Sequence, residues 1–190
     1  YDIVISPDGA YLYAAGYLSG NILIFARNPT DGRLAYKTTL TNSGIPSLIG
    51  VFRLDLSPDG NQLYAASFGG GITGFTRNPA TGGQSLRQAL REEEDGGVSG
   101  LENASAVRIS PDGRYAYVTG YSSSTLVVFE RDPDTGDLFY AQTVRRNPLS
   151  MRPALRGARD IVVAPDSRSI IASGYLDDRI VRLRFNNPAP

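Results

Sequence analysis

Ser6-Pro7-Asp8-Gly9-Ala10-Tyr11-Leu12-Tyr13-Ala14-Ala15-Gly16-Tyr17 is a turn followed by a strand, and this chain writes it four times. Pro presets φ at the second turn position, Asp can bond its own backbone, and Gly relieves a left-handed position, so four residues suffice to reverse the chain. The turn returns at Ser57-Pro58-Asp59-Gly60, Ser110-Pro111-Asp112-Gly113 and Ala164-Pro165-Asp166-Ser167, at spacings of 51, 53 and 54 residues. Each time a second strand follows that closes on a ring: Tyr17, Phe68, Tyr121 and Tyr175. A period near 50 made of strands and tight turns predicts the blades of a β-propeller.

Working outward, each turn is preceded by an inner strand: Asp2–Ser6, Arg53–Ser57, Ala106–Ser110 and Asp160–Ala164. Their second and fourth columns are always aliphatic, the period of two that marks a strand with one packing face. The first and third columns vary and hold Asp2, Arg53, Asp55, Arg108 and Asp160. Third strands are expected at Ile22–Phe25, Ile72–Phe75, Leu126–Phe129 and Ile180–Leu183, and outer strands near Leu34–Leu40, Ser85–Leu90 and Leu138–Val144. Nothing sustains a 3.6-residue period, so little or no helix is expected. The prediction is an all-β propeller array over 1–190, of about four blades of four-stranded antiparallel meanders. Their bounds are about 2–52, 53–105, 106–158 and 159–190, the last lacking its outer strand. Blades bury both faces against neighbours. The array is therefore part of a larger ring, joins a second copy, or closes on itself with four blades.

Composition narrows the chemistry. With 41% hydrophobic residues the chain can bury a core, and 19 basic against 19 acidic residues leave no net charge to draw it to nucleic acid or an anionic membrane. No apolar run of bilayer length occurs, so no membrane span is expected. The chain opens on Tyr1 rather than Met and is expected to be processed, trimmed or partial. It has neither Cys nor His. That removes disulfides, thiolate nucleophiles, His-based triads and the commonest transition-metal ligand. No cofactor or metal is expected, and any reaction must be run by carboxylates, Arg, Lys, Tyr, Ser/Thr and backbone.

Two sets of residues are candidates for a site. Asp2, Arg53, Asp55, Arg108 and Asp160 lie in the variable columns of the inner strands and are expected to line the central channel. They either orient a ligand there or tie blades together, with Asp55 and Arg108 read as an ion pair between neighbours. The connections after the second and third blades carry an acidic run, with Glu92, Glu93, Glu94 and Asp95, and a basic one, with Arg145, Arg146, Arg152, Arg156 and Arg159. Loops on a rigid scaffold are where binding commonly resides, so these charges are read as a surface for a protein partner. The ring column Tyr17, Phe68, Tyr121 and Tyr175 either stacks sugars or wedges between blades. Asp132, Asp134 and Asp137 are read as an ordinary hairpin turn rather than a calcium loop.

Taken together, Ser-Pro-Asp-Gly followed by Tyr-x-Tyr, the turn Arg131-Asp132-Pro133-Asp134-Thr135-Gly136-Asp137, and the connector from Glu94 to Ala104 resemble the bacterial lactonase-like, YVTN-type propellers. The resemblance covers almost all of the chain. It implies a ring of seven blades, a periplasmic or extracellular home, and, from phosphogluconolactonase relatives, a sugar lactone as substrate. The leading expectation from the residues is a non-catalytic scaffold that presents loops 91–105 and 145–159 to a protein or cell-surface partner, or to a further copy completing the ring. The alternative is hydrolysis of a sugar lactone by a carboxylate-activated water, with channel-mouth Asp and Arg residues as base and oxyanion stabiliser.

Overall fold

In a computed structural model, describing residues 1–69, 71–92, 98–145 and 155–184, the Ser-Pro-Asp-Gly turn does its work through one hydroxyl. Ser6 Oγ donates to the Asp8 carboxylate and accepts the Tyr11 N–H at 3.0 Å, while the Gly9 N–H reaches Ser6 O at 2.7 Å. Gly9, Gly60 and Gly113 take φ of 70°, 72° and 73°, and Ser167 carries the same conformation at 57° in the fourth copy.

These turns join β1 (Asp2–Ile5) to β2 (Tyr11–Gly16), β5 (Val51–Leu56) to β6 (Gln62–Ser67), β9 (Ala104–Ile109) to β10 (Tyr115–Gly120) and β13 (Ala158–Val163) to β14 (Ser169–Gly174). Beyond them run β3 (Asn21–Arg27), β7 (Gly71–Arg77), β11 (Thr125–Arg131) and β15 (Arg179–Arg184), then the outer strands β4 (Leu34–Leu40), β8 (Gln84–Leu90) and β12 (Leu138–Arg145). The result is three four-stranded antiparallel meanders and a fourth sheet of three strands. Outside the strands the described residues include one 3-10 turn, at Pro46–Leu48. Among the described residues no helix is long and apolar enough to cross a membrane. The third strands outrun the expected bounds at both ends because the closing Arg still pairs: Arg27 N donates to Ala10 O at 2.8 Å, and Arg77 and Arg131 do the same one and two blades on.

The core lies between blades, not within them. Tyr13, Ala15, Ile22 and Ile24 of the first blade pack against Leu54, Leu63, Ala65 and Phe75 of the second, and equivalent columns meet at the next two junctions. The inner strands stand next to one another in the order β1, β5, β9, β13. This explains one departure from the column rule. Leu54, Val107 and Ile161 face a preceding blade and are 0%, 0% and 1% exposed, whereas their counterpart Ile3 is 65% exposed. At the other end Ile180, the counterpart of the fully buried Ile22, is 76% exposed.

Hydrogen bonds at the outer side of each junction reinforce the packing. Arg77 reaches back to the first blade, donating from Nε to Tyr13 Oη at 2.8 Å and pairing with Asp8 at 2.7 Å. Tyr13 in turn donates to Gly82 O at 3.1 Å. Arg131 repeats the arrangement with Tyr64 at 2.8 Å and Gln62, and Tyr64 donates to Gly136 O at 2.7 Å.

Candidate functional site

Three of the four inner strands open on a β-bulge. Val51 pairs with Ser67 and Arg53 with Ala66, so Phe52 is an extra residue; Ser105 and Arg159 are extra in the same way in β9 and β13. A bulge re-aims a side chain and is common beside active sites. Here it lets two successive residues, Phe52 with Arg53 and Arg159 with Asp160, serve the same end of the axis. Sequence columns that begin at Arg53 and Asp160 miss the extra residue. The available signal was the apolar residue ahead of it, Val51, Ala104 and Ala158, each of which the fold buries completely.

The variable-column charges then form one alternating series. Arg53 lies 3.8 Å from Asp2 and 3.6 Å from Asp160, and Arg108 lies 3.4 Å from Asp160. Asp2, Arg53, Asp160 and Arg108 thus connect the first, second, fourth and third blades. Two of the carboxylates also serve the backbone of the next blade: Asp2 Oδ2 accepts Leu54 N–H at 2.9 Å, and Asp55 Oδ2 accepts Ile109 N–H at 2.7 Å. Asp160 differs. It accepts the N–H of its own neighbour Ile161 at 2.9 Å, and its side chain is 43% exposed. Arg53 keeps a buried Nε that meets no acceptor among the described residues.

The expected Asp55–Arg108 ion pair is not formed. Arg108 turns to Asp160 and to Val107 O at 2.8 Å, and Asp55 sinks to the interblade backbone. Burial pushes the Asp55 carboxyl up to about 6, against the opposing pull of the Ile109 N–H and the Arg108 charge.

Rings run beside Arg53 and Arg159. Tyr17, Phe68, Tyr121 and Tyr175 touch in sequence, with centroids 5.7, 6.1 and 6.4 Å apart. Phe52 sits inside the arc, 4.9 Å from Phe68 and 5.9 Å from Tyr17. The column therefore forms a continuous aromatic border from blade to blade. Arg53 lies 5.3 Å from the Phe52 ring centre, and Arg159 lies 5.2, 5.9 and 5.3 Å from those of Phe52, Tyr121 and Tyr175.

The loop charges behave otherwise. Glu92 turns inward and accepts from Gly100 N at 2.8 Å, Leu101 N and Ser99 Oγ. Arg145 donates to that same Ser99 Oγ at 2.5 Å. Arg156 is held by its backbone, donating to Asp177 and accepting from Leu176. Glu93, Glu94, Asp95, Arg146 and Arg152 lie outside the described residues. In the third hairpin Asp132 accepts the N–H groups of Asp134 and Thr135, and Asp137 pairs with Arg87 at 2.6 Å. A cavity of about 430 Å³ between the third and fourth blades, bordered by Tyr117, Glu130, Ser167 and Arg184, includes none of the mouth residues.

Residues 107–188 match the family model described as Lactonase, 7-bladed beta-propeller. The blades are similar to those of the lactonase-like propellers. A 6-phosphogluconolactonase of Enterobacter sp. (strain 638) is 26% identical over 187 residues, 98% of this chain and 51% of the relative. The solved periplasmic gluconolactonase of Pseudomonas aeruginosa is 30% identical, with a TM-score of 0.63 over 75% of this chain and 39% of that one. A functionally unknown protein of Desulfotomaculum acetoxidans DSM 771, 21% identical with a TM-score of 0.72 over 96% of this chain and 53% of that one, shares the fold. The chain spans about half the length of the Enterobacter relative.

These names correct the leading expectation. Both the Enterobacter and the Pseudomonas relatives carry the names of lactone-hydrolysing enzymes, so the reading of a lactonase-like chain as a non-catalytic scaffold is overturned in favour of its alternative. Of the loop charges read as a partner surface, Glu92 and Arg145 bond the connector itself.

Proposed function

We propose that this chain supplies part of the axial site of a lactone hydrolase acting on a sugar lactone. The observation that carries the reading is Asp160: an axial carboxylate, solvent-reachable, not spent on a neighbouring blade's backbone, and placed between Arg53 and Arg108 at 3.6 and 3.4 Å. Hydrolysis needs a base for water and a cation for the oxygen that becomes negative. Asp160 would take a proton as water attacks the lactone carbonyl carbon. The guanidinium groups of Arg53 and Arg108, which flank Asp160, would meet the developing oxyanion. On collapse the ring C–O bond breaks, and the proton held by Asp160 passes to the leaving oxygen, giving the open hydroxy acid. The ring arc offers faces on which the C–H side of a sugar can lie.

The name of the Pseudomonas relative supports a periplasmic setting. The exposed blade faces around Ile3 and Ile180 support further blades, or a further copy, as the neighbours that complete the ring.

The test is acid release from glucono-δ-lactone by this protein and by Asp160→Asn. A fall of about 100-fold or more is expected, the range in which positioned bases operate. Absence of hydrolysis in the unaltered protein, or an unaffected rate in the variant, would refute the reading.

A further inference from the structure

The cavity of about 430 Å³ between the third and fourth blades stands where each earlier junction seats a hairpin. At the first junction the hairpin's Gly82 lies on Tyr11, whose ring a Cβ would overlap, and Gly82 O accepts from Tyr13 Oη at 3.1 Å. At the second, Gly136 O accepts from Tyr64 Oη at 2.7 Å. Two residues on, an amide of the preceding blade grips the backbone of the buried Leu138. Leu138 N donates to Gln88 Oε1 at 2.9 Å, and Gln88 Nε2 donates to Leu138 O at 3.1 Å.

The third junction carries the same fittings. Tyr115 and Tyr117 hold the places of Tyr11 and Tyr13, and Gln142, opposite Val128, holds the place that Gln88 takes opposite Gly74. All three border the cavity, whose wall is continued by Val144 and Leu183. Among the described residues the Gln142 amide has no hydrogen-bond partner. Beside the cavity β15 is the edge of a three-stranded sheet, whereas β7 and β11 have β8 and β12 alongside. Such an edge offers a row of backbone donors and acceptors to an added strand.

We propose that the cavity and the β15 edge form a binding seat for a single extended polypeptide segment of the form Gly-Xaa-Leu. The glycine lies against Tyr115 and Tyr117, the Leu backbone is gripped by Gln142, and the Leu side chain enters the apolar wall. The middle residue is free, because Ala141 stands where Arg87 pairs with Asp137 in the preceding junction. A seated strand has both edges engaged, as β12 has one on β11 and the other on Gln88. That excludes a strand already in a sheet: β4 begins just after Gly32-Arg33 with Leu34, but one of its edges is taken by β3. The occupant is therefore a segment that is unpaired before it binds, not a folded second copy. None of this depends on the hydrolase reading.

The probe is a fluorescein-labelled peptide with the sequence of residues 132–144, titrated into the protein and followed by anisotropy. Saturable binding is expected, weakened about 10- to 100-fold in Gln142→Ala, which removes two backbone hydrogen bonds. Valine in place of the peptide's glycine should abolish binding, and alanine in place of the aspartate that follows it should change nothing. Gln142 is exposed, so Gln142→Ala should melt like the native protein and its lost binding is not lost folding. Gln88→Ala, which breaks the other clamp, should bind the probe as the native protein does. Absence of binding, or equal binding by Gln142→Ala, overturns the proposal. Weakening by Gln88→Ala alone would mean that the peptide replaces β12, and overturns it too. A protein that sediments as a dimer and is parted by the peptide would give the seat to a second copy, which likewise refutes the chosen occupant.

Discussion

Asp55 holds a carboxylate where little water reaches it, and burial is the first cause of its rise from 3.8 to about 6. A carboxyl whose folded value exceeds its unfolded one binds more protons when folded. Its contribution to stability is therefore complete below about pH 4 and is lost as pH climbs through 6, the reverse of the usual paired aspartate. The span corresponds to at most about 3 kcal/mol. Asp8 has the opposite sign: the Ser6 hydroxyl, foremost, and Arg77 lower it to about 2, so its contribution is lost only as pH falls toward that value. The two windows do not overlap. Asp55→Asn keeps an oxygen for the Ile109 N–H and removes the buried charge. It should gain stability over the native protein in denaturant melts at pH 8, with the gain shrinking toward pH 4.5; parallel curves would refute the assignment. The columns that hold Asp55 were legible because alternation of period two survives any substitution at the variable positions. Where Asp55 would spend its carboxylate was not, because an adjacent arginine in the same column is the obvious partner and a backbone N–H leaves no mark in a sequence.

At the scale of strands and hairpins, most of the fold was legible. Ser-Pro-Asp-Gly can do little but turn, and the Tyr-x-Tyr run behind it alternates cleanly. The junction locks were less so. Arg77 and Arg131 read locally as strand ends before Asn-Pro and Asp-Pro, yet they act across a blade on Tyr13 and Tyr64. Only the joint recurrence of a Tyr column and an Arg column could have shown it. The bulges at Phe52, Ser105 and Arg159 escaped for a different reason: they lie ahead of the aligned columns, and no recurring residue type marks them. The lock carries a prediction. Tyr64→Phe would leave both the Arg131 Nε–H and the Gly136 carbonyl buried without a partner, at a cost of about 1–3 kcal/mol in chemical denaturation. Gly82→Ala is expected to cost at least about 1–2 kcal/mol, since its φ is 72° and a Cβ would overlap the Tyr11 ring. If either variant melts like the native chain, the locks do not hold the junctions.

For the molecule as a whole, what matters is that stability resides in junctions. The same aliphatic column is interior or surface according to whether a blade stands in front of it, as Leu54 and Ile3 show. Leu54→Lys should therefore cost several kcal/mol or prevent folding, as a buried unpaired charge does, while Ile3→Lys and Ile180→Glu should each shift stability by less than about 0.5 kcal/mol in a chain whose end faces are bare and by more where the proposed further blades or copy cover them. Thermal melts of the three variants check this, and a large loss from the end-face changes would mean those faces are covered in solution. One contact behaves differently from the nearest-neighbour junctions. Arg53 and Asp160 belong to blades two apart, so they meet only when both intervening joints are fully flexed. Splaying at either joint would part them first, and the mouth's electrostatics thus gauge the curvature of the arc, coupling its chemistry to how tightly the hoop is drawn.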